Sequence, residues 1–270
     1  NIEGLGFVNV DGSGDIILPT VRLVTGSVQR QIVKNGAGTL TLSGALTNNR
    51  YGLTVNEGNV NLAKTSGDAV FSYPMQINGP SSVVKLTVKS NQLHDSVNQE
   101  INTGTFDLNG FDEACGGLNL TTGTLLTGGT ITNNGAGPST LTLGAGSSSS
   151  DRTWPGTITD GTGILSLVKG RPIVQTHTGT LAYTGDTTIN EGILELGATS
   201  ALANGSAVRI NGATSILKLA DGVTDVVNEL WIDGVQLDSG LYGSSTSSAP
   251  LANQDDVHFS GTGTLSVTTG

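Results

Sequence analysis

Between Val174 and Gly197 the large apolar residues stand two apart, Leu181 with Tyr183 and Leu194 with Leu196, while threonine is frequent on the opposite face. A period of two puts each set on one side of a β-strand. The stretch predicts three short strands, Thr180 to Tyr183, Thr187 to Ile189 and Ile193 to Leu196, with glycine or Asn190-Glu191-Gly192 between them. Threonine is β-branched and tolerates water, so it suits a strand with one dry and one wet face.

An earlier copy of this pattern lies between Val33 and Leu62. Gly38-Thr39-Leu40-Thr41-Leu42-Ser43-Gly44 is followed by Val55-Asn56-Glu57-Gly58-Asn59-Val60-Asn61-Leu62. Weaker echoes occur at Gly123-Thr124-Leu125, Thr140-Leu141-Thr142-Leu143, Gly163-Ile164-Leu165-Ser166-Leu167 and Gly263-Thr264-Leu265-Ser266-Val267. Internal repetition of this kind is the mark of a solenoid, in which each unit buries its apolar face only against its neighbours.

These two segments, Lys34 to Leu62 and Leu165 to Gly197, resemble the autotransporter-associated β-strand repeat of long secreted and surface proteins of bacteria. The first copy fits the form of that repeat: a Lys, Gly-x-Gly-Thr-Leu-x-Leu-x-Gly, then Val-Asn-x-Gly. The second departs from it, because Lys169-Gly170-Arg171-Pro172 intrudes and Thr176-His177-Thr178 stands where a Gly-Ala pair is usual. The tail from Leu230-Trp231-Ile232-Asp233-Gly234 through Gly240-Leu241-Tyr242-Gly243 to Val267 resembles the end segment that often follows such repeats. The resemblance implies a parallel β-helix, export from a bacterial cell, and display in a stalk, adhesin or filament. A membrane translocator made of amphipathic strands is not seen after the tail, so the expectation is a free subunit or a piece cut from its anchor.

Composition agrees with a solenoid. Of 270 residues 40 are glycine, about twice the usual share of ~7%, and charged residues are 13% against a usual ~25%. Turns take the glycine and wet strand faces take Thr and Ser. The formal net charge of -10 and the scatter of the 12 Lys and Arg give a nucleic-acid role no basic stripe to work with. The one cysteine, Cys115, lies between Ala114 and Gly116-Gly117 and is expected to be a small buried thiol. No window of about 20 apolar residues predicts a membrane span. The sequence begins at Asn1 without a basic and apolar leader, so any export signal is expected to be removed or left out.

In chain order, strands are expected at 15–18 and 21–24, in the first good repeat, at 70–73, and at 83–88, where Val84, Leu86 and Val88 alternate. Asn91 to Gln99 reads as an outward loop. Short strands return at 105–108, 118–120, 124–126, 130–132 and 141–143, with starts 6 to 13 residues apart, which gives about three per coil of roughly 20 to 25 residues. Further strands follow at 207–210 and 216–219, and Ser200 to Ala203 suggests one helical turn. Ten to twelve coils at ~4.8 Å make a rod about 50 to 60 Å long. Its exposed sheet ends need covers, and Val226 to Tyr242 is the candidate for one of them.

Candidate chemistry is sparse. His94, His177 and His258 have no partner at metal-ligand spacing, and His177 is expected on a surface turn. Carboxylates cluster at Asp107, Asp112 and Glu113, at Asp186 and Glu191, and at Asp255 and Asp256. A sugar hydrolase or lyase on a β-helix needs such a pair facing a groove; solvated turn carboxylates are the plainer reading. Asp11-Gly12-Ser13-Gly14-Asp15 superficially suggests a calcium loop, but its twelfth position is Arg22 and not Glu. Trp154 and Trp231 are expected at the side and the end of the rod.

Taken together, the sequence predicts an all-β, right-handed, single-stranded parallel β-helix: residues 1–222 as solenoid and 223–270 as a C-terminal end segment. It is read as a non-enzymatic extracellular structural or adhesive protein of a bacterial surface, with no catalytic, cofactor or metal site assigned. Expected partners are copies of itself, head to tail, other surface components or a polysaccharide. The competing reading is a polysaccharide-active enzyme or sugar-binding module on the same scaffold.

Overall fold

The computed structural model describes residues 2–3, 7–22, 30–48, 50–71, 73–121, 127–147, 150–197 and 202–270. The chain is all-β and winds as a parallel β-solenoid of about nine turns. Two sheets carry the first coils. One stacks Phe7–Val10, Arg30–Lys34, Tyr51–Val55, Met75–Ile77, Asn98–Ile101 and Gly117–Asn119. The second, of eight strands, runs from Ile16–Leu18 to Thr180–Ala182 and includes Thr39–Gly44 and Asn59–Lys64. A third sheet opens at Glu113–Cys115 and continues through Ser139–Leu143, Leu165–Lys169, Thr187–Ile189 and Ala207–Ile210 to Glu229–Ile232. A fourth stacks Arg152–Trp154, Val174–His177, Gly192–Leu196, Ser215–Leu219 and Phe259–Ser260. Middle coils therefore carry three strands, while the coil of Tyr51–Val55 and Asn59–Lys64 carries two and a single bridge, Val70 to Leu93.

The strand register explains the alternation in the sequence. Leu40, Val60 and Val84 are aligned, as are Leu42, Leu62 and Leu86, and all six are buried in one continuous core. Leu181, Tyr183, Leu194 and Leu196 point into the same core. Burial of apolar area at roughly 25 cal/mol per Å² supplies the main driving force, and no single coil has enough of it to fold alone.

Coils are longer and fewer than the repeat length implies. The register advances 20 residues from Thr39 to Asn59 but 28 from Glu113 to Leu141, and the chain leaves the regular coil between Ile232 and Phe259. About nine turns make a stack of about 43 Å at ~4.8 Å each, shorter than the expected rod. Several strand limits also move. The strand at 83 ends at Leu86, leaving Val88 exposed, and 70–73 holds one bridge residue instead of a strand. The expected loop at 91–99 turns partly inward, with Gln92, Leu93, Val97 and Gln99 buried. Trp154 is wholly interior. The expected strand at 124–126 lies outside the described residues, as do positions 200 and 201 of the helical turn at 200–203 and positions 23 and 24 of the strand at 21–24.

Polar side chains stitch the coils at their corners. Asn35 Nδ2 donates to Asp11 Oδ1, Asn56 to Asn35, Asn78 to Asn56 and Asn102 to Asn78, at 2.8 to 3.0 Å. The same bond recurs from Asn211 to Asn190 at another corner. These asparagines are 21 to 24 residues apart, one coil per rung. Buried lysines work alongside them. Lys34 Nζ donates to the Gly36 carbonyl and to Glu57 O, and Lys169 Nζ to Gly170 O, Arg171 O and Glu191 O at 2.8 to 3.0 Å. Both lysines thus hold the carbonyl in the middle of an Asn-Glu-Gly turn one coil on. The glycine of that turn is obligatory: Gly58 has φ 74°, and a Cβ there would lie 2.3 Å from Gly36 O. Lys169-Gly170-Arg171-Pro172, an intrusion in the sequence alignment, is the counterpart of Lys34 and its turn.

Burial lowers the Lys169 and Lys64 pKa values to about 8, so both stay charged at neutral pH with backbone carbonyls as partners. Lys169→Met removes three hydrogen bonds to the carbonyls of Gly170, Arg171 and Glu191, all part-buried. Because an unmade buried hydrogen bond costs ~1–3 kcal/mol, the expected loss is about 3 kcal/mol, read as a lower urea midpoint. Lys218→Met, which removes an exposed pair with Glu195, is expected to cost under ~1 kcal/mol. Equal costs for the two variants would refute the corner role of Lys169.

Candidate functional site

The carboxylates singled out in the sequence fall in separate places and take up structural work. Asp107 Oδ1 accepts the N–H of Asn109 and of Asn134, both at 2.9 Å. Asp112 Oδ1 accepts the Thr140 N–H at 2.7 Å, one coil away. Asp186 Oδ1 accepts the Ala207 N–H, and its Oδ2 pairs with Arg209 at 3.4 Å. Glu191 contributes its carbonyl to Lys169. Asp11 and Asp15, the superficial calcium loop, bind Asn35 Nδ2 and the Thr39 N–H. Sequence reasoning missed Asp151 and Asp160, which do the same for the N–H groups of Val174 and Thr184. The available signal was a repeated Asp one coil before a strand start.

Glu113 is different, since it is 1% exposed and points inward. Its oxygens accept the N–H groups of Gln92, Leu93 and Ala114 at 2.8, 3.4 and 3.1 Å. Gln92, also buried, bonds through its side chain to the N–H and carbonyl of Lys64. These two side chains, with Asn48 between Val21 N and Ala69 O, close the side of the early coils where the strand ladder is missing. Burial overrides the three N–H bonds and raises the Glu113 pKa to about 8. Next to it, burial and then the Glu113 charge push the Cys115 thiol up to about 12, so this free, buried cysteine is inert.

A comparable device joins the first sheet to the fourth. Gln175 accepts the Leu118 N–H at 3.0 Å and donates to its carbonyl at 3.1 Å, while Trp154 Nε1 donates to Ile101 O at 3.1 Å. His177, expected on a surface turn, is instead 3% exposed at a strand end, edge-on to Trp154 with ring centroids 5.6 Å apart. Burial lowers its pKa to about 4, so it is neutral. Trp231 lies half-buried on the outer face, with the Arg209 guanidinium 4.8 Å above its ring.

Among the described residues three concavities stand out. One of about 340 Å³ lies on the second sheet, lined by Thr39, Asn59, Asn61, Val83 and Lys85. One of about 280 Å³ holds Asp68, His94, Asp95 and Ser96, with His94 edge-on to Phe71. The roomiest, about 420 Å³, is built by the C-terminal tail and includes Tyr242, Asn253, Asp255 and Asp256. No group of three or more His, Cys, Asp or Glu among the described residues is placed to hold a metal ion, and no helix among them is long and apolar enough to cross a membrane.

The fold defines the class of this protein, a parallel β-solenoid whose carboxylates, amides and lysines bind from coil to coil. The chain matches no known protein family, no curated protein and no solved structure.

Glu113 makes stability depend on pH with a definite sign. Its folded pKa, about 8, lies above the ordinary carboxyl value of 4.5, so its contribution is fully present below pH 4.5 and is lost as pH rises through 8. His177 titrates lower, and the gain from Lys64 and Lys169 comes above pH 8 in any variant. The urea midpoint of the native chain is therefore expected to fall between pH 6.5 and 9 relative to that of Glu113→Gln. Parallel curves for the two proteins would rule out a buried, titrating Glu113.

Proposed function

We propose that this chain is an extracellular structural or adhesive protein of a bacterial surface, a length of stalk or filament, and not an enzyme. The observation that carries the reading is where its scarce charges go. Asp15, Asp112, Asp151, Asp160 and Asp186 each accept a backbone N–H from a neighbouring coil, and Lys34 and Lys169 each hold a carbonyl one coil on. Such groups resist pulling the coils apart. The resemblance of Lys34 to Leu62 to the autotransporter-associated repeat supports export and surface display. End-to-end assembly is supported by Phe7–Val10 and Ile16–Leu18, which are the outer strands of their sheets and carry exposed Phe7 and Ile17. A contact of this kind that does not close into a ring grows into a fibre.

Immunogold labelling of intact native cells, with negative-stain microscopy of the labelled material, tests this. Label is expected on the outer surface, on thin rods or fibres. Label seen only after lysis would overturn the surface reading. A purified chain that stays monomeric at high concentration would overturn self-assembly alone.

A further inference from the structure

The tail departs from the repeat. Parallel pairing continues through Thr224–Val227 with Thr264–Val267, but Val235–Gln236 folds back antiparallel on Glu229–Ile232, and Gly240–Tyr242 antiparallel on Thr264–Val267. Residues 243–258 then cross the end of the stack with one short 3-10 turn, Leu251–Asn253, as their only regular element. Connections of this length without strands or helices are uncommon and are functional or disordered.

This one is pinned. Ser244 Oγ donates to Gly261 O at 2.7 Å and Gln254 Nε2 to Ala249 O at 2.9 Å. Asp255 Oδ1 accepts the N–H groups of Val257 and His258, and its Oδ2 lies 2.7 Å from His258 Nδ1. Asp256 Oδ1 accepts the Ser245 N–H at 2.7 Å. Tyr242 Oη donates to Asp238 O at 2.8 Å. None of these bonds reaches across to a neighbouring repeat coil, unlike the carboxylate bonds in the rod.

The pinned loop and the hairpin border an open concavity of about 420 Å³, within the size range of small-ligand sites. Ile232, Leu237 and Tyr242 give it an apolar side, and Asn253, Gln254 and Asp256 a polar one. The Asn253 side-chain amide and Gln254 Oε1 make no hydrogen bond within the protein among the described residues, although the Asn253 backbone N–H donates to Pro250 O. Asp256, held by Ser245, keeps further lone pairs for outside donors. Amide donors, amide and carboxylate acceptors and an apolar wall match a sugar ring, which has hydroxyls around its rim and C–H groups on its face. No lysine or arginine lines the cavity, and Asp255 and Asp256 repel anions, so acidic sugars are disfavoured and a neutral ring fits the amides and the apolar wall.

We propose that this cavity binds a neutral sugar residue of a glycan, which the rod would present at its end. The proposal rests on the surface reading for its setting, but binding is measured on the purified chain and stands or falls separately. The test is an array of neutral and acidic oligosaccharides, followed by calorimetric titration of each ligand found. At least one neutral glycan is expected to bind, Asn253→Ala and Asp256→Asn each to weaken it about tenfold, and Lys85→Ala, in the groove on the second sheet, to leave it unchanged. Circular dichroism checks each variant; if Asp256→Asn disturbs the loop, Asn253→Ala carries the test. Three results would overturn the site: no neutral glycan bound, a preference for uronates or sulfated glycans, or binding unaffected by the loop substitutions. Surface labelling with no glycan bound would leave the rod standing and remove only the site.

Discussion

In a stack of parallel strands every backbone N–H and C=O points along the axis and has to find its partner in the next coil. Wherever a strand ends or a sheet stops, that requirement passes to a side chain. Much of this molecule follows from it. At the corners asparagine amides and lysine ammonium groups take carbonyls and side-chain oxygens one coil away. At turns, aspartates take the N–H groups. Inside, where no strand fills the third side of the early coils, Asn48, Gln92 and Glu113 stand in for the missing ladder.

The rod is not one uniform repeat, and the same constraint explains how it changes along its length. The first sheet ends at Gly117–Asn119 and the fourth begins at Arg152–Trp154, with Gln175 and Trp154 bonding back across the change. The Lys and Asn-Glu-Gly pair sits at the corner between the first and second sheets in the early copy. In the later copy it sits between the third and fourth. What persists is the relation between them, one coil apart, because Lys Nζ reaches only the carbonyl stacked next to its own corner. A buried lysine is costly unless its donors are met, and Lys169 directs three hydrogen bonds to backbone oxygens.

The tail obeys a different rule. Beyond Ile232 the chain first pairs antiparallel, then crosses in a loop whose own bonds are short-range, Asp255 with His258, Asp256 with Ser245 and Gln254 with Ala249, before Phe259–Ser260 and Thr264–Val267 rejoin the stack. A loop held by its own contacts can keep a concave shape that a flat parallel sheet cannot. That is why the roomiest of the three concavities lies there.

Alternation and repetition were enough to fix the all-β solenoid and most strand positions, since period two and recurring glycine turns are local properties of the chain. The residues 180–196 and 39–62 fold much as their pattern reads. The asparagine rungs at 35, 56, 78 and 102 went unread in the sequence, because only the stack shows that they touch. Tertiary structure alone decided the rest. Nothing local marks Glu113 and Gln92 as inward, or His177 as buried against Trp154, because each answers a gap in a sheet made by residues 20 or more positions away. Coil length was decided there too, by insertions that the corners absorb without losing register. The cavity of the tail brings Ile232 beside Asn253 and Asp256, a proximity set by the end of the stack and by no pattern in the sequence.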